Sequence, residues 1–417
     1  MRFGVVTAAG VVLTGAVVGS FVDSCVGSTY AAALAPAAEP TPLLGPPAPP
    51  ASPAAPPPLS PPTAAPLPLS PTVAEKPSPT PPESRWDYAV FPFVFYTPET
   101  SLGLVAGFAI FDDTPKPGEL QRRDDSVALG VQATLRRQYS VSVSAVKWWD
   151  DARWQLTEDA ALVRFPNTYW GLGNDTPESA RDPFTQSGAV SRVTLAARAF
   201  EQVYVGGGFS TGWYDITGAA PDGSVGTYLQ TTPVSGAAVG VGPILRRDTR
   251  DDALGAHRGS LSSLAVTFFP AALGGRYHFS LYELDQRSHF AIGSRSVLAV
   301  EAYGLSAPGH VPLAELPALG GAARLRGYFQ GRYRDHVYLM AQAEWRIRVY
   351  GRFALAPFAG VGNVFPSLSA ISLERTKYAG GVSIRFNLKT ERDLYVHLDV
   401  AKSPISSGLY LNMGEAF

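Results

Sequence analysis

From His336 to Val349 the chain alternates without a break. Val337, Leu339, Ala341, Ala343, Trp345, Ile347 and Val349 hold the odd positions, and His336, Tyr338, Met340, Gln342, Glu344, Arg346 and Arg348 the even ones. Successive side chains of a strand point to opposite faces, so a period of two predicts a strand with one apolar and one polar, charged face. The pattern returns at Val382, Ile384, Phe386 and Leu388 against Ser383, Arg385 and Asn387. It returns again at Leu394, Val396, Leu398 and Val400 against Tyr395, His397 and Asp399. A soluble β-sandwich buries such an apolar face in a core; a membrane barrel turns it to lipid and its polar face to a lumen. Strand length favours the barrel, being near the roughly 9–11 residues that cross a bilayer at a tilt. Aromatic residues at strand ends favour it too: Trp86 with Tyr88, Trp148 with Trp149, Tyr169 with Trp170, and Trp213 with Tyr214. At about 20 residues per strand and turn, the stretch 86–417 predicts an all-β, antiparallel transmembrane barrel of about 16 strands. No apolar run after Trp86 is long enough for a transmembrane helix.

Ahead of the strands the composition changes twice. Residues 1–33 read as a secretory signal, with Arg2, an apolar stretch from Phe3 to Val22 and small residues at Ala31-Ala32-Ala33. An uncleaved anchor and lipid attachment at Cys25 are the alternatives, although Asp23 and Ser24 suit the second poorly. Residues 34–85 form a Pro/Ala-rich segment that holds twenty of the 37 prolines and too few large side chains for a core, so it reads as a disordered linker. The net charge of −1 gives no field for nucleic acid. With one cysteine and six scattered histidines the sequence offers no metal-ligand spacing, and no metal or cofactor is expected.

One segment breaks the alternation: "LGGAARLRGYFQGRYRD", Leu319 to Asp335, where glycines and arginines crowd together. Arginine forks to carboxylates in two-pronged pairs, and glycine lets backbone pass close to a wall or adopt positive φ. Through Gly320-Gly321, Leu325-Arg326-Gly327-Tyr328 and Gly331-Arg332-Tyr333-Arg334-Asp335 the segment resembles the inward-folded loop of the bacterial surface antigen family, the BamA/TamA-like barrels. "FPFVFYTPETSLGLVAG" (Phe91–Gly107), "YWGLGNDTP" (Tyr169–Pro177) and "RRDTRDDALGAHRGS" (Arg246–Ser260) resemble the same family in order and spacing. The resemblance implies a loop tucked into the lumen and latched by an arginine to acidic wall residues. Arg326, Gly327 and Tyr328 are then the latch, and Glu344, on the polar face of the next strand, is the expected partner. Arg346 and Asp399 are further candidates. Asp399 would substitute for a second acidic wall residue, because Gly360 occupies that residue's place in "APFAGVGNVF". An exposed loop is the plain alternative. At the C-terminus, "SSGLYLNMGEAF" puts Leu409, Leu411, Met413 and Phe417 on one face and resembles the terminal signal of outer-membrane barrels, with Glu415 as a departure. The periplasmic N-terminal domains of larger relatives find no counterpart, and the proline-rich segment stands in their place.

These readings predict an outer-membrane protein, exported by the secretory route, that is not an enzyme. Its expected role is to assist protein or lipid insertion or export through a plugged lumen and a lateral seam. The seam would lie between the strand around Phe91–Tyr96 and the last one, with Pro92 and Pro98 thinning its ladder. Outer-membrane lipid and unfolded outer-membrane protein or lipid clients are the expected partners of a monomeric barrel, and no nucleic acid. The alternative is a porin-like solute channel selected by Glu344, Arg346, Arg348 and Arg385. A hydrolase is disfavoured: Ser280 near His278 and Ser288 beside His289 are the only obvious pairs, neighbours on a strand face opposite ways, and no G-x-S-x-G elbow exists.

Overall fold

A computed structural model of the chain describes residues 86–112, 125–251, 255–389, 394–415 and 417. The expected signal and proline-rich linker, residues 1–85, lie outside the described residues. The strands are β1 (Trp86–Thr97), β2 (Ser101–Asp112), β3 (Ser126–Thr134), β4 (Tyr139–Trp149), β5 (Trp154–Tyr169) and β6 (Asp182–Phe200). They continue with β7 (Val203–Thr217), β8 (Ser235–Asp248), β9 (Gly259–Phe269), β10 (Phe279–Ile292) and β11 (Ser296–Ser306). Two-residue strands β12 (Ala318–Leu319) and β13 (Tyr333–Arg334) pair with each other inside one long loop. The chain closes with β14 (Val337–Tyr350), β15 (Phe353–Phe365), β16 (Lys377–Lys389), β17 (Leu394–Lys402) and β18 (Ser407–Met413). All but β12 and β13 form a single closed antiparallel barrel of sixteen strands, matching the number the sequence predicts.

The alternation settles which way each strand faces. In β14 the even residues Tyr338, Met340, Gln342, Glu344 and Arg346 are buried, whereas Trp345 and Val349 are about half exposed. Val131, Leu162, Phe209, Leu284, Val361 and Val400 continue the exposed apolar band around the outside. A closed barrel with an apolar exterior and a charged interior is built for a bilayer, where every backbone group must be paired within the protein. No helix among the described residues is long and apolar enough to cross a membrane; the strands do so.

The two ends of the barrel differ. At the end holding Trp86 and Met413, most turns are tight, as at 150–153, 201–202, 293–295 and 351–352, with longer connections only at 113–125 and 249–258. The opposite end carries longer connections at 170–181, 218–234, 307–336 and 366–376, the second including a short helix α1 (Ser224–Leu229). Short periplasmic turns and long outer loops are the rule for such barrels, so both ends of the described chain face the periplasm.

Half of the aromatic belt expected from sequence lies elsewhere. Trp86, Tyr88, Trp149 and Trp213 face outward. Tyr214 is buried, and the Trp148 ring stands edge-on to buried Tyr204. Tyr169 and Trp170 are both buried, because β5 ends there and the chain turns over the lumen. Adjacent strand residues face opposite sides, so a pair of neighbouring aromatics supplies one anchor at most.

A charge on the lipid face should be costly by depth. Leu284→Arg, midway along β10, is expected to lower the stability of the refolded barrel in vesicles by about 2–4 kcal/mol, and Tyr350→Arg at the rim by about 0–1 kcal/mol. Urea titrations of both variants against wild type check this.

Candidate functional site

The connection from 307 to 336 is longer than any other between described strands, and it folds into the lumen. Its apolar residues Val311, Leu313, Leu316, Leu319, Leu325 and Tyr328 pack with wall residues Tyr214, Phe279, Tyr303 and Tyr338 in one buried cluster. The hydrophobic core of this protein is therefore the space between loop and wall.

Polar contacts fix the loop's position. Arg326 has no exposed side-chain surface; its Nη2 donates to Glu344 Oε2 at 2.8 Å and its Nη1 to Asp399 Oδ2 at 2.5 Å. The guanidinium also lies 3.5 Å from the centroid of the Phe358 ring. Burial disfavours a charged guanidinium, but Asp399 and Glu344 outweigh it and hold Arg326 above the usual arginine range. Gly327 has φ +110°, and a Cβ there would come within 3.0 Å of the Lys402 backbone, so glycine is required where the loop grazes β17. Tyr328 is buried edge-on to Tyr333, with ring centroids 6.2 Å apart.

Gly360 faces the lumen, and a Cβ on it would sit 3.1 Å from Leu325 Cδ1, so its place is taken by the loop's own leucine. The second carboxylate is provided two strands further round, by Asp399 on β17, whose Oδ1 also accepts from His397 Nδ1 at 2.8 Å. Arg346 does not reach the loop. Its Nε donates to Glu344 Oε1 at 2.9 Å and its Nη2 to the Phe417 carbonyl oxygen at 2.8 Å. Glu344 thus serves three guanidinium groups, those of Arg326, Arg346 and Arg385.

Phe417 is not on a lipid-facing strand with Leu409. β18 ends at Met413, Gly414 turns the chain at φ +97°, and Glu415 is drawn inward to Arg385 and Arg346. Met413 and Phe417 are both buried. Glu415, the departure from the terminal signal, makes this inward turn favourable, since Arg346 and Arg385 without it would share the single carboxylate of Glu344.

Other anchors were not singled out from sequence. Arg324, two residues before Arg326, donates from Nε to Glu301 Oε1 at 3.0 Å and from Nη2 to Asp285 Oδ2 at 3.1 Å, with its guanidinium 3.5 Å from the Tyr303 ring centroid. Leu325 between them is left-handed at φ +51°, and the two arginines part to different strands of the wall, Arg324 to β10 and β11 and Arg326 to β14 and β17. A sequence signal for this second latch does exist, because Glu301 is the lone charge of β11 and sits on an otherwise apolar face. Arg192 Nη2 and the Tyr214 hydroxyl both donate to Glu315, at 2.9 and 2.8 Å. Arg332 donates to Thr176 Oγ1 at 2.9 Å, and Phe329 stands edge-on to Trp170, which gives the "YWGLGNDTP" stretch its place as a dock for the loop. Among the described residues the two serine–histidine pairs stay apart: Ser288 Oγ accepts from Gln286 Nε2 at 3.1 Å on the outer face while His289 is buried inside, and the His278 ring lies 3.0 Å from the Gly275 carbonyl oxygen.

A family model described as the Omp85 superfamily domain matches residues 123–413. In structure the chain is similar to BamA from Haemophilus ducreyi lacking POTRA domains 1–3, with TM-score 0.56 and 12% identity over 80% of this chain and 70% of that one. It is also similar to CdiB from Acinetobacter baumannii, with TM-score 0.51 and 12% identity over 79% of this chain and 66% of that one. For CdiB from Escherichia coli the TM-score is 0.50 at 12% identity, over 78% and 62% of the two chains. The chain therefore spans slightly less than two thirds of either CdiB chain, and identities this low speak for the fold alone. No curated protein matches in sequence.

Removing Arg326 takes one of three guanidinium groups from Glu344 and leaves buried Asp399 with His397 alone. Arg326→Ala is expected to cost about 3–5 kcal/mol in urea titration, and Arg326→Lys less, since one ammonium cannot fork to both. In planar bilayers the wild type should give small, flickering currents. Because Arg324 holds the loop independently, a large steady conductance should need Arg324→Ala combined with Arg326→Ala. A large steady wild-type current that the double variant leaves unchanged would mark an open solute channel instead.

Proposed function

The chain belongs to the Omp85 superfamily, and from that premise we propose that this outer-membrane barrel assists the insertion or export of protein or lipid clients, acting at the boundary between β1 and β18. One observation carries the reading: those two strands are in register at a single position, Tyr96↔Leu411. β1 and β2, by contrast, pair from Trp86↔Asp112 to Thr97↔Ser101. The turn at Gly414 takes the chain off the line that would continue β18 along β1. Strand-edge amides and carbonyls at bilayer depth are costly unless paired, so the β1 edge favours an incoming strand from an unfolded outer-membrane protein. A parted seam also gives lipid a lateral path. Pro92 lies within β1, where it removes one donor; Pro98 belongs to the turn after it and has no part in the edge.

In this reading the loop keeps the lumen shut while the wall opens sideways, and no covalent chemistry is involved. The proposed clients are unfolded outer-membrane proteins or lipids, and the barrel works as a single unit. A porin-like role finds less support, because Glu344, Arg346 and Arg385 are spent on the loop and on the C-terminal turn.

Locking the seam tests this. In a Cys25→Ser background, Tyr96→Cys with Leu411→Cys should form a disulfide that abolishes insertion of an unfolded outer-membrane protein into vesicles holding the barrel, and reductant should restore it. Insertion at the wild-type rate by the oxidised protein would overturn the proposal.

A further inference from the structure

A barrel joined at one register position needs something else to hold its first and last strands together. We infer that residues Gly327–Gln330 are a strap across the β1/β18 boundary, with Glu99 and Tyr410 as its anchors on the two banks.

On the first bank, the Gln330 backbone N–H donates to Glu99 Oε1 at 2.7 Å. Glu99 is buried in the β1–β2 turn, and its carbonyl oxygen accepts from Gln138 Nε2 at 3.1 Å, which ties that turn to the next hairpin. On the last bank, the Gly327 N–H donates to the Tyr410 hydroxyl at 2.9 Å. The Gly327 carbonyl oxygen accepts from Ser406 Oγ at 2.5 Å and Ser403 Oγ at 3.2 Å, both in the β17–β18 turn. Four consecutive loop residues thus reach from the first hairpin to the last. A main-chain segment held by buried hydrogen bonds at both ends does the work of a missing ladder.

The strap has a direction. Its anchors sit in or near the turns at 98–100 and 403–406, on the long-loop, outer side of the barrel. Tyr96↔Leu411 lies at the same level. Nearer the periplasm β18 has ended, and Glu415 and the Phe417 carbonyl are held inside by Arg385 and Arg346. The boundary is therefore fastened at its outer end and parts from the periplasmic end, like a hinge whose pin is the loop. Arg326 is a positioning residue for the strap, since it seats Gly327 next to Tyr410. The inference rests on reading this boundary as a seam, but on no particular client.

Pulsed electron paramagnetic resonance on the full chain in phosphatidylcholine vesicles, again with Cys25→Ser, tests it. Spin labels on the lipid-facing positions Leu102 and Val400 report the outer level, and labels at Val90 and Leu388 the periplasmic level. The wild type should give a narrow outer distance and a broad periplasmic one. Glu99→Ala and Tyr410→Phe should each lengthen the outer distance by about 5 Å, one strand spacing, or more. Glu99→Gln keeps an oxygen acceptor and should retain the wild-type outer distance. Arg332→Ala, which frees the loop from Thr176 far from the boundary, should leave it unchanged. Heat-dependent gel mobility confirms that each variant is folded. The strap is overturned if folded Glu99→Ala and Tyr410→Phe barrels keep the wild-type outer distance, or if Arg332→Ala widens it equally. Should the distances respond as expected while the locked Tyr96→Cys/Leu411→Cys protein still inserts its substrate, the strap stands and the client reading fails.

Discussion

Everything in this molecule follows from the absence of water in a bilayer. A strand crossing hydrocarbon must pair all its amides and carbonyls within the protein, so sixteen strands run into one ring and turn their apolar side chains outward. That inverts the usual order of a folded chain. The polar side chains that a soluble protein shows to solvent are gathered inside, where Glu344, Asp399, Asp285 and Glu301 meet Arg326, Arg385, Arg346 and Arg324. Charges at such density are tolerated because each carboxylate has a guanidinium, and the long loop brings two of those guanidinium groups with it.

The loop is consequently both core and plug. Its leucines and tyrosines fill the outer half of the lumen, as a core does, while its arginines neutralise the wall. Neither task alone would require the backbone it has. Left-handed Leu325 lets Arg324 turn to carboxylates on β10 and β11 while Arg326 turns to those on β14 and β17, and left-handed Gly327 lets the backbone pass against Lys402.

Much of this was legible in the sequence, and the rest was hidden for definable reasons. The period of two in 337–349 gave strands, facing and lumen side together, and so made Glu344 the natural partner of Arg326. Asp399 was visible only as a substitute, because strand adjacency in space is not written in the spacing of residues. Arg324 escaped notice because two arginines around one leucine read as one feature. Tyr169 and Trp170 misled because a rim aromatic and a plug-facing aromatic have the same composition. Phe417 misled because strand alternation was extended past Gly414, where a positive φ had already ended it. Glu99 and Tyr410 carry no sequence mark: a glutamate in a turn and a tyrosine in a strand are ordinary until the loop arrives beside them.

The distances in sequence spanned by the loop's contacts bear on how the chain is made. Arg326 meets Asp399 across 73 residues, and Gln330 meets Glu99 across 231. Before the final hairpin is in place, the loop's arginine lacks one of its two acids and its tip has nothing to grip on that side. Seating the loop and closing the ring therefore belong to one late, cooperative step of folding, slow by virtue of its long-range closure. A partly assembled barrel would carry an unseated cationic loop, which distinguishes it from the finished one by charge as well as by shape.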